Sequence, residues 1–204
     1  MAKVKMSKKS TKIDMTAMCD VAFLLLSFFV MTSTAKVPEP LPVDTPASTR
    51  ETKLPDTDLV TITVGDGKVF FGMVGQDVRA DALGRIAEKY KLTFTEDETK
   101  RFSLIDGFGV PAGSLKGLIA LKSDERNKDG VQAGVPYDSI DNQLREWILA
   151  ARYATKDLHQ KELKVAIKGD AKEEYPTIKK VIDILQDQKI NKFFLVTGLR
   201  TEDF

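Results

Sequence analysis

Hydrophobic positions divide the chain into one long apolar segment near its start and a series of shorter patterns after it. Residues 15–35 have the sequence MTAMCDVAFLLLSFFVMTSTA, in which Asp20 is the one charged residue. A helix of about 20 residues covers the roughly 30 Å of hydrocarbon in a bilayer. We therefore predict a transmembrane helix over residues 13–35 that carries an acid.

Two other structures are compatible with this segment. Residues 21–31 have the length of a signal-peptide core, lysines precede them, and residues 33–35 end in a small-x-small pattern that suits a signal peptidase. A buried helix of a soluble protein is the second, but the segment is apolar on nearly every face. Asp20 favours a functional membrane helix, because a charge near the middle of a span costs about 3 kcal/mol and a cleavable leader has no use for it.

Polar side chains share one side of the predicted helix with Asp20. Thr16 lies one turn earlier, and Ser27 and Thr34 follow at heptad spacing. We expect this stripe to face protein or water, with leucine and phenylalanine covering the rest of the helix. The alternative is that the hydroxyls bond only to their own backbone, which is common in membrane helices.

Local charge predicts the orientation of the helix. All five charges of the predicted basic tail, residues 1–12, are lysines: Lys3, Lys5, Lys8, Lys9 and Lys12. Positive flanks stay in the cytoplasm, so we expect the amino terminus inside and the rest of the chain outside. Asp20 then lies about 8 to 10 Å beyond the cytoplasmic edge of the span. A single helix cannot enclose a proton path, so this carboxyl requires a partner membrane protein.

Residues 36–58 form a predicted linker. They hold five of the chain's eight prolines and almost no large apolar residues, which is typical of an extended segment. Leu41, Val43 and Thr45 alternate in a way that permits docking as a strand on a sheet edge. A passive tether is the alternative.

Residues 59–204 are predicted to form a small α+β domain, with helices packed on a mixed β-sheet. Short β-branched runs and helical periods predict, in order, a hairpin at 59–72, a helix at 77–90 capped by Asp77, a strand at 118–121, a helix at 137–154, a strand at 163–167, a helix at 176–188 and a strand at 193–197 ended by Gly198. Residues 93–136 are expected to be otherwise irregular. The apolar face of the 137–154 helix, which is expected to be buried, consists of Ile140, Leu144, Trp147, Ile148 and Ala151. Trp147 is expected in the core, with binding of a partner as the alternative. Phe102, Leu104 and Phe108 suit either a small core or an exposed docking patch.

Composition argues against several kinds of chemistry. Lysine plus arginine (31) nearly balances aspartate plus glutamate (30), so no basic footprint for nucleic acid is present. The lone Cys19 and the lone His159 leave no disulfide framework, multi-cysteine metal site or histidine pair. Asp170, Glu173 and Glu174 are expected to be a solvated turn. No triad, phosphate loop or cofactor fingerprint appears, so we expect a binding module without a cofactor and not an enzyme.

Two stretches resemble the ExbD/TolR family of biopolymer-transport proteins. Residues 13–16 (IDMT) and 18–26 (MCDVAFLLL) are similar to the family's membrane signature, with Ala17 where many members have proline. Residues 163–199 are similar to its final strand, acidic turn, tyrosine-containing helix and closing strand. The resemblance implies that Asp20 is the proton-carrying acid. By comparison with compact members, residues 75–137 are expected to be an insertion.

The resemblance also implies partners and a location. It implies a homodimer of single-pass chains in a bacterial inner membrane, with the amino terminus cytoplasmic and the domain periplasmic. Several copies of an ExbB-like multi-span protein would enclose the helices, and the motor would energise TonB-dependent outer-membrane transport by proton translocation. Two alternatives stay open: a TolR-like or gliding-type motor acting through a TolA-like protein on envelope integrity or motility, and a membrane-anchored binding or tether protein without proton coupling.

Overall fold

The computed structural model describes residues 15–33, 40–48, 53–128, 130–138, 140–171, 173 and 175–199. The chain divides into two units, Met1–Val37 and Pro38–Phe204, and each is described by itself. The described part of the first unit is helix α1 (Met15–Thr32), about 27 Å long. It contains no glycine or proline, and none of its residues is buried. Residues 13, 14, 34 and 35 of the predicted transmembrane helix lie outside the described residues.

The second unit alternates strands and helices along the chain. Its elements in the described residues are β1 (Ala47–Ser48), β2 (Leu59–Gly65), β3 (Lys68–Met73), α2 (Gln76–Tyr90), α3 (Glu96–Ser103), β4 (Gly107–Phe108), a 3₁₀ turn (Ala112–Ser114), α4 (Leu115–Ala120), α5 (Ser123–Arg126), α6 (Gln143–His159), β5 (Lys164–Gly169), α7 (Tyr175–Asp187), β6 (Phe194–Val196) and β7 (Gly198–Leu199).

Five strands form a mixed sheet in the order β4-β3-β2-β5-β6. The β2–β3 and β3–β4 pairs are antiparallel, whereas the β2–β5 and β5–β6 pairs are parallel. Ile62 of β2 lies between Phe71 of β3 and Ile167 of β5, so alternate side chains of the three strands face the same side. A separate parallel pair joins β1 to β7.

The core lies between this sheet and the helices. Helix α6 packs along α2 and reaches β3, and its Trp147 is fully buried against three phenylalanines. The ring centroids of Phe108, Phe102 and Phe71 lie 4.7, 5.9 and 6.1 Å from that of Trp147. The predicted fold class, an apolar amino-terminal helix followed by helices packed with a mixed sheet, is confirmed.

The core also decides between two interpretations of the segment at 102–108. Phe102 and Phe108 are buried, whereas Leu104 is exposed. The helices α2 and α3 and the strand β4, all within residues 75–137, contribute to the same core as the rest of the domain. This segment is therefore structurally integral, and its status as an addition relative to compact family members stays a prediction.

Three details of the predicted secondary structure are wrong: the type of one element, the cap of one helix and the end of one strand. Residues 118–121 are not a strand, because Leu115, Leu118 and Ile119 are buried at i, i+3 and i+4 spacing on helix α4. Helix α2 is not capped by Asp77, since Gly75 is the N-cap residue and Asp77 lies in the first turn. Gly198 does not end the last strand but begins β7, after β6 has ended at Val196.

The helix predicted at 137–154 is displaced toward the carboxyl terminus. Asn142 accepts a hydrogen bond from the Arg145 N–H (3.0 Å) and starts α6 there, so Ile140 lies outside the helix and is 101% exposed. Leu144, Trp147, Ile148 and Ala151 are buried as predicted. The region expected to be irregular, 93–136, contains α3, α4, α5 and β4.

Candidate functional site

Helix α1 presents one carboxyl group on an apolar surface. Asp20 is the only Asp, Glu, Lys, Arg or His between Met15 and Thr32, and its side chain is exposed. Thr16 lies one turn before it and Ser27 about two turns after it, on the same side of the helix. Thr34, the last member of the predicted stripe, lies outside the described residues. The carboxyl is thus accessible to any partner that packs along this side.

The hydroxyl groups of Ser27 and Thr32 bond to their own helix. The Ser27 hydroxyl lies 2.5 Å from the Phe23 carbonyl oxygen and 3.3 Å from that of Leu24, and the Thr32 hydroxyl donates to the Phe28 carbonyl (2.8 Å). These bonds favour the alternative interpretation for Ser27, namely that its hydroxyl satisfies itself locally. Asp20 therefore stands out as the chemically distinct group of the helix.

The length and composition of α1 fit a single-pass membrane anchor. Within the described ranges it is the one helix long and apolar enough to cross a membrane. A charge in such a helix costs about 3 kcal/mol, whereas the protonated carboxyl is neutral and is less costly to place in hydrocarbon. A charged Asp20 side chain in such a helix therefore requires water or a polar partner.

Part of the proline-rich linker contacts the α+β domain of residues 59–204, which is called the outer domain after the location predicted for it. Leu41, Val43 and Thr45 are half-buried and alternate with exposed residues. The Val43 Cγ1 and Leu41 Cδ2 atoms lie so close to Gly65 that a Cβ there would be 2.9 and 3.1 Å from them. The Ala171 N–H donates to the Asp44 carbonyl (2.7 Å). The segment thus lies on its own domain, and its binding of a partner strand stays a prediction.

Acidic side chains of the turn after β5 accept hydrogen bonds from backbone N–H groups. Glu173 accepts a hydrogen bond from the Gly67 N–H (3.1 Å) and Asp170 accepts one from the Asp44 N–H (3.4 Å). Glu174 lies outside the described residues. Within the described ranges, no group of three or more His, Cys, Asp and Glu side chains is placed to hold a metal ion. This turn therefore joins the β2–β3 hairpin to the linker.

Two polar centres of the outer domain were missed in the sequence. Arg79 is buried and donates to the carbonyls of Met73 (2.6 Å) and Ser103 (2.7 Å) while pairing with Asp106 (2.6 Å). His159 contacts two aspartates from distant parts of the chain. An arginine on the buried face of a helical period was a usable signal for the first, whereas no local pattern indicates the second.

A family model matches most of this chain. The family model described as biopolymer transport protein ExbD/TolR matches residues 6–199. A search of curated proteins and a search of solved structures found no significant match. The match includes both stretches that carry the resemblance, the membrane helix with Asp20 and the region from β5 to β7.

Proposed function

Since this chain belongs to the ExbD/TolR family of biopolymer transport proteins, we propose that it carries protons on Asp20 to drive an inner-membrane motor. Family members are motor subunits of transport systems and not classical enzymes. The observation that carries the proposal is a single carboxyl within an otherwise uncharged and mostly apolar α1. An acid in a membrane helix is costly, and a function in ion movement accounts for its presence.

Proton binding supplies a physical basis for motion. When neutral, Asp20 can face lipid or apolar protein, and when charged it requires water or a polar partner. Moving one charge through 100 mV releases about 2.3 kcal/mol, which is sufficient for a conformational step coupled to protonation. The translocated proton is the cargo, so the mechanism requires no resident cofactor.

The exposed surface of α1 supports a requirement for partners. Every described residue of the helix is at least partly exposed, and one helix cannot both shield a carboxyl from lipid and give it access to water on two sides. We propose that an ExbB-like multi-span protein encloses α1 and a second copy of it. The lysines before α1 would hold the amino terminus in the cytoplasm and leave the outer domain in the periplasm.

The outer domain would pass the motion to a TonB-like or TolA-like protein. Support comes from two features: residues 40–48 lie on the domain in an extended form, and β6 is an outer strand of the mixed sheet. Extended segments bind such edges through backbone hydrogen bonds. We therefore propose that Leu41, Val43 and Thr45 belong to a strand-docking region, and that TonB-dependent transport is the process energised.

The test replaces Asp20 in the full-length protein in its own host. Asp20→Asn should reduce energised transport to the level of a gene deletion, because the amide is nearly isosteric and cannot exchange a proton. Asp20→Glu should retain part of the activity. Membrane fractionation and crosslinking should show that both variants are inserted and assembled equally.

The readouts separate the alternatives. Measuring receptor-dependent uptake, detergent sensitivity and surface motility in the same strains identifies which process Asp20→Asn removes. Loss of uptake alone supports TonB-type coupling, whereas loss of envelope integrity or motility supports a TolR-like or gliding-type motor. Full retention of all three by Asp20→Asn would reject proton coupling and leave a membrane-anchored binding or tether protein.

A further inference from the structure

One imidazole joins three elements of the outer domain. His159, the last residue of α6, contacts the Asp58 carboxylate through Nδ1 and the Asp77 carboxylate through Nε2, the second at 2.8 Å. Asp58 immediately precedes β2, and Asp77 lies in the first turn of α2. The chain has no other histidine. We call these three residues the His159 staple.

With both carboxylates ionised, the two contacts require a charged ring. A neutral imidazole carries one N–H, so it can donate to one carboxylate while its other nitrogen presents a lone pair. Both contacts are hydrogen bonds only when both nitrogens are protonated. Loss of one proton therefore removes one bond and places a lone pair against a carboxylate oxygen. This consequence follows from the positions of the two aspartates alone.

The charges around the ring favour the protonated form. Hydrogen bonds to Asp58 and then Asp77 raise the pKa of His159 above its ordinary value. Burial of the Asp58 side chain, which is 4% exposed, raises its pKa. Hydrogen bonds from His159 and Lys161 outweigh this effect, so the pKa of Asp58 lies below its ordinary value. The hydrogen bond with His159, followed by that from the Val78 N–H, lowers the pKa of Asp77. The Lys161 ammonium, 3.4 Å from Asp58, is the one further charge with a described contact to this group.

The staple lies where the linker joins the domain. Asp58 ends residues 36–58, and its carbonyl accepts a hydrogen bond from the Lys164 N–H (2.9 Å) at the start of β5. The φ angle of Asp58, 57°, is in the left-handed region, which residues other than glycine adopt at a cost. The side-chain contacts of Asp58 therefore hold the left-handed backbone conformation of the residue at which the linker enters β2.

We infer that the His159 staple is a pH-dependent lock, which fixes the base of the linker to α2 and α6 when the imidazole is charged and loosens when it is neutral. The inference goes beyond the proposed function and does not require Asp20. In a proton-driven system the outer compartment is acidic when the gradient is large, and the lock would then be closed. Motion arriving through the linker would reach a firmly held domain under those conditions.

The direction of the pH effect follows from the three pKa changes. Because the pKa of His159 is raised, its stabilisation is complete below the ordinary value of 6.5 and is lost as the pH rises through the raised value. Because the pKa values of Asp58 and Asp77 are lowered, their part is present above the ordinary 3.8 and is lost as the pH falls through the lowered values. The lock is therefore closed in mild acid and opens toward alkaline pH.

Two measurements on the full-length protein in lipid nanodiscs test the lock. NMR titration of the single imidazole should give a pKa above 6.5, the ordinary value, and this pKa should fall in Asp77→Asn. Hydrogen exchange, expressed as protection factors, should show weaker protection of the Lys164 amide at pH 9 than at pH 6. The expected loss is about tenfold for each unit by which folding raises the pKa of His159.

Matched controls separate the staple from a general charge effect. Asp81 is another α2 aspartate, and it pairs with Arg85 (2.7 Å). Asp81→Asn should leave the histidine pKa and the Lys164 protection unchanged. The Val135 amide, bonded to the Val69 carbonyl (2.7 Å), serves as a reference that should not respond to pH. A wild-type histidine pKa at or below 6.5, or equal effects of the two aspartate substitutions, would overturn the inference.

Discussion

Helix α1 and the outer domain place apolar side chains in opposite ways. In α1, leucine, phenylalanine and methionine side chains are exposed and none is buried, whereas in the outer domain the same residue types form a continuous core. Exposed apolar surface on this scale marks contact with lipid or another protein. The difference teaches that α1 depends on surroundings outside this chain, while the outer domain carries its own stabilising interactions.

Truncating one large aromatic side chain in each region tests this difference most directly. Trp147→Ala should destabilise the outer domain by about 3–5 kcal/mol, because Trp147 is fully buried among three aromatic rings. Thermal unfolding followed by circular dichroism should show a midpoint lower by about 10 °C. Phe29→Ala, at a position 64% exposed on α1, is the control and should leave that midpoint unchanged. Equal effects would show that the two regions do not differ in this way.

The same contrast explains what the sequence could predict. The composition of a short contiguous stretch defines α1 and Asp20, so both are visible without a structure. The strands β2, β3 and β5 and the helices α2 and α7 have clear periods and were also predicted. A capping box in which Thr95 and Glu98 exchange hydrogen bonds starts α3, and its T-x-x-E signature is a local signal for the start of this helix.

Other features depend on contacts between distant residues and have no local signal. His159 and Asp58 are separated by 101 positions, and nothing near either residue in the chain indicates the pairing. Residues 118–121 were predicted as a strand because four apolar residues fit both periods, and only packing of Leu115 and Leu118 selects the helix. Asp20 is thus predictable from the chain alone, whereas the His159 staple requires the fold.

A smaller change tests how firmly the linker is held on the outer domain. Gly65→Ala places a Cβ 2.9 Å from Val43 Cγ1 and 3.1 Å from Leu41 Cδ2. We expect a cost of about 1 kcal/mol, since overpacking displaces the segment. Hydrogen exchange should show faster exchange of the Ala171 amide, which donates to Asp44.

The matched control for that change is Gly84→Ala in α2. A Cβ at Gly84 meets nothing within 4 Å, and alanine is a better helix former than glycine by about 1 kcal/mol. It should therefore stabilise the domain without weakening the protection of the Ala171 amide. Unchanged Ala171 protection in Gly65→Ala would show that residues 41–45 are not held against β2, and that the linker resembles α1 in lacking support from the domain.

The smallest expected effect sharpens the comparison within α1 itself. Ser27→Ala removes a hydroxyl that bonds to the Phe23 and Leu24 carbonyls of its own helix. Hydrogen bonds between membrane helices contribute about 0.6 kcal/mol on average. Even if the Ser27 hydroxyl also bonded to a partner helix, its loss would therefore change the assembly equilibrium by less than about threefold. Energised transport should therefore persist in Ser27→Ala and fail in Asp20→Asn, measured side by side at equal membrane levels. If both substitutions abolish transport, Ser27 takes part in the proton path and the polar stripe faces a partner. Persistence in Ser27→Ala would exclude the Ser27 hydroxyl from the proton path and leave Asp20 as the group on which transport depends.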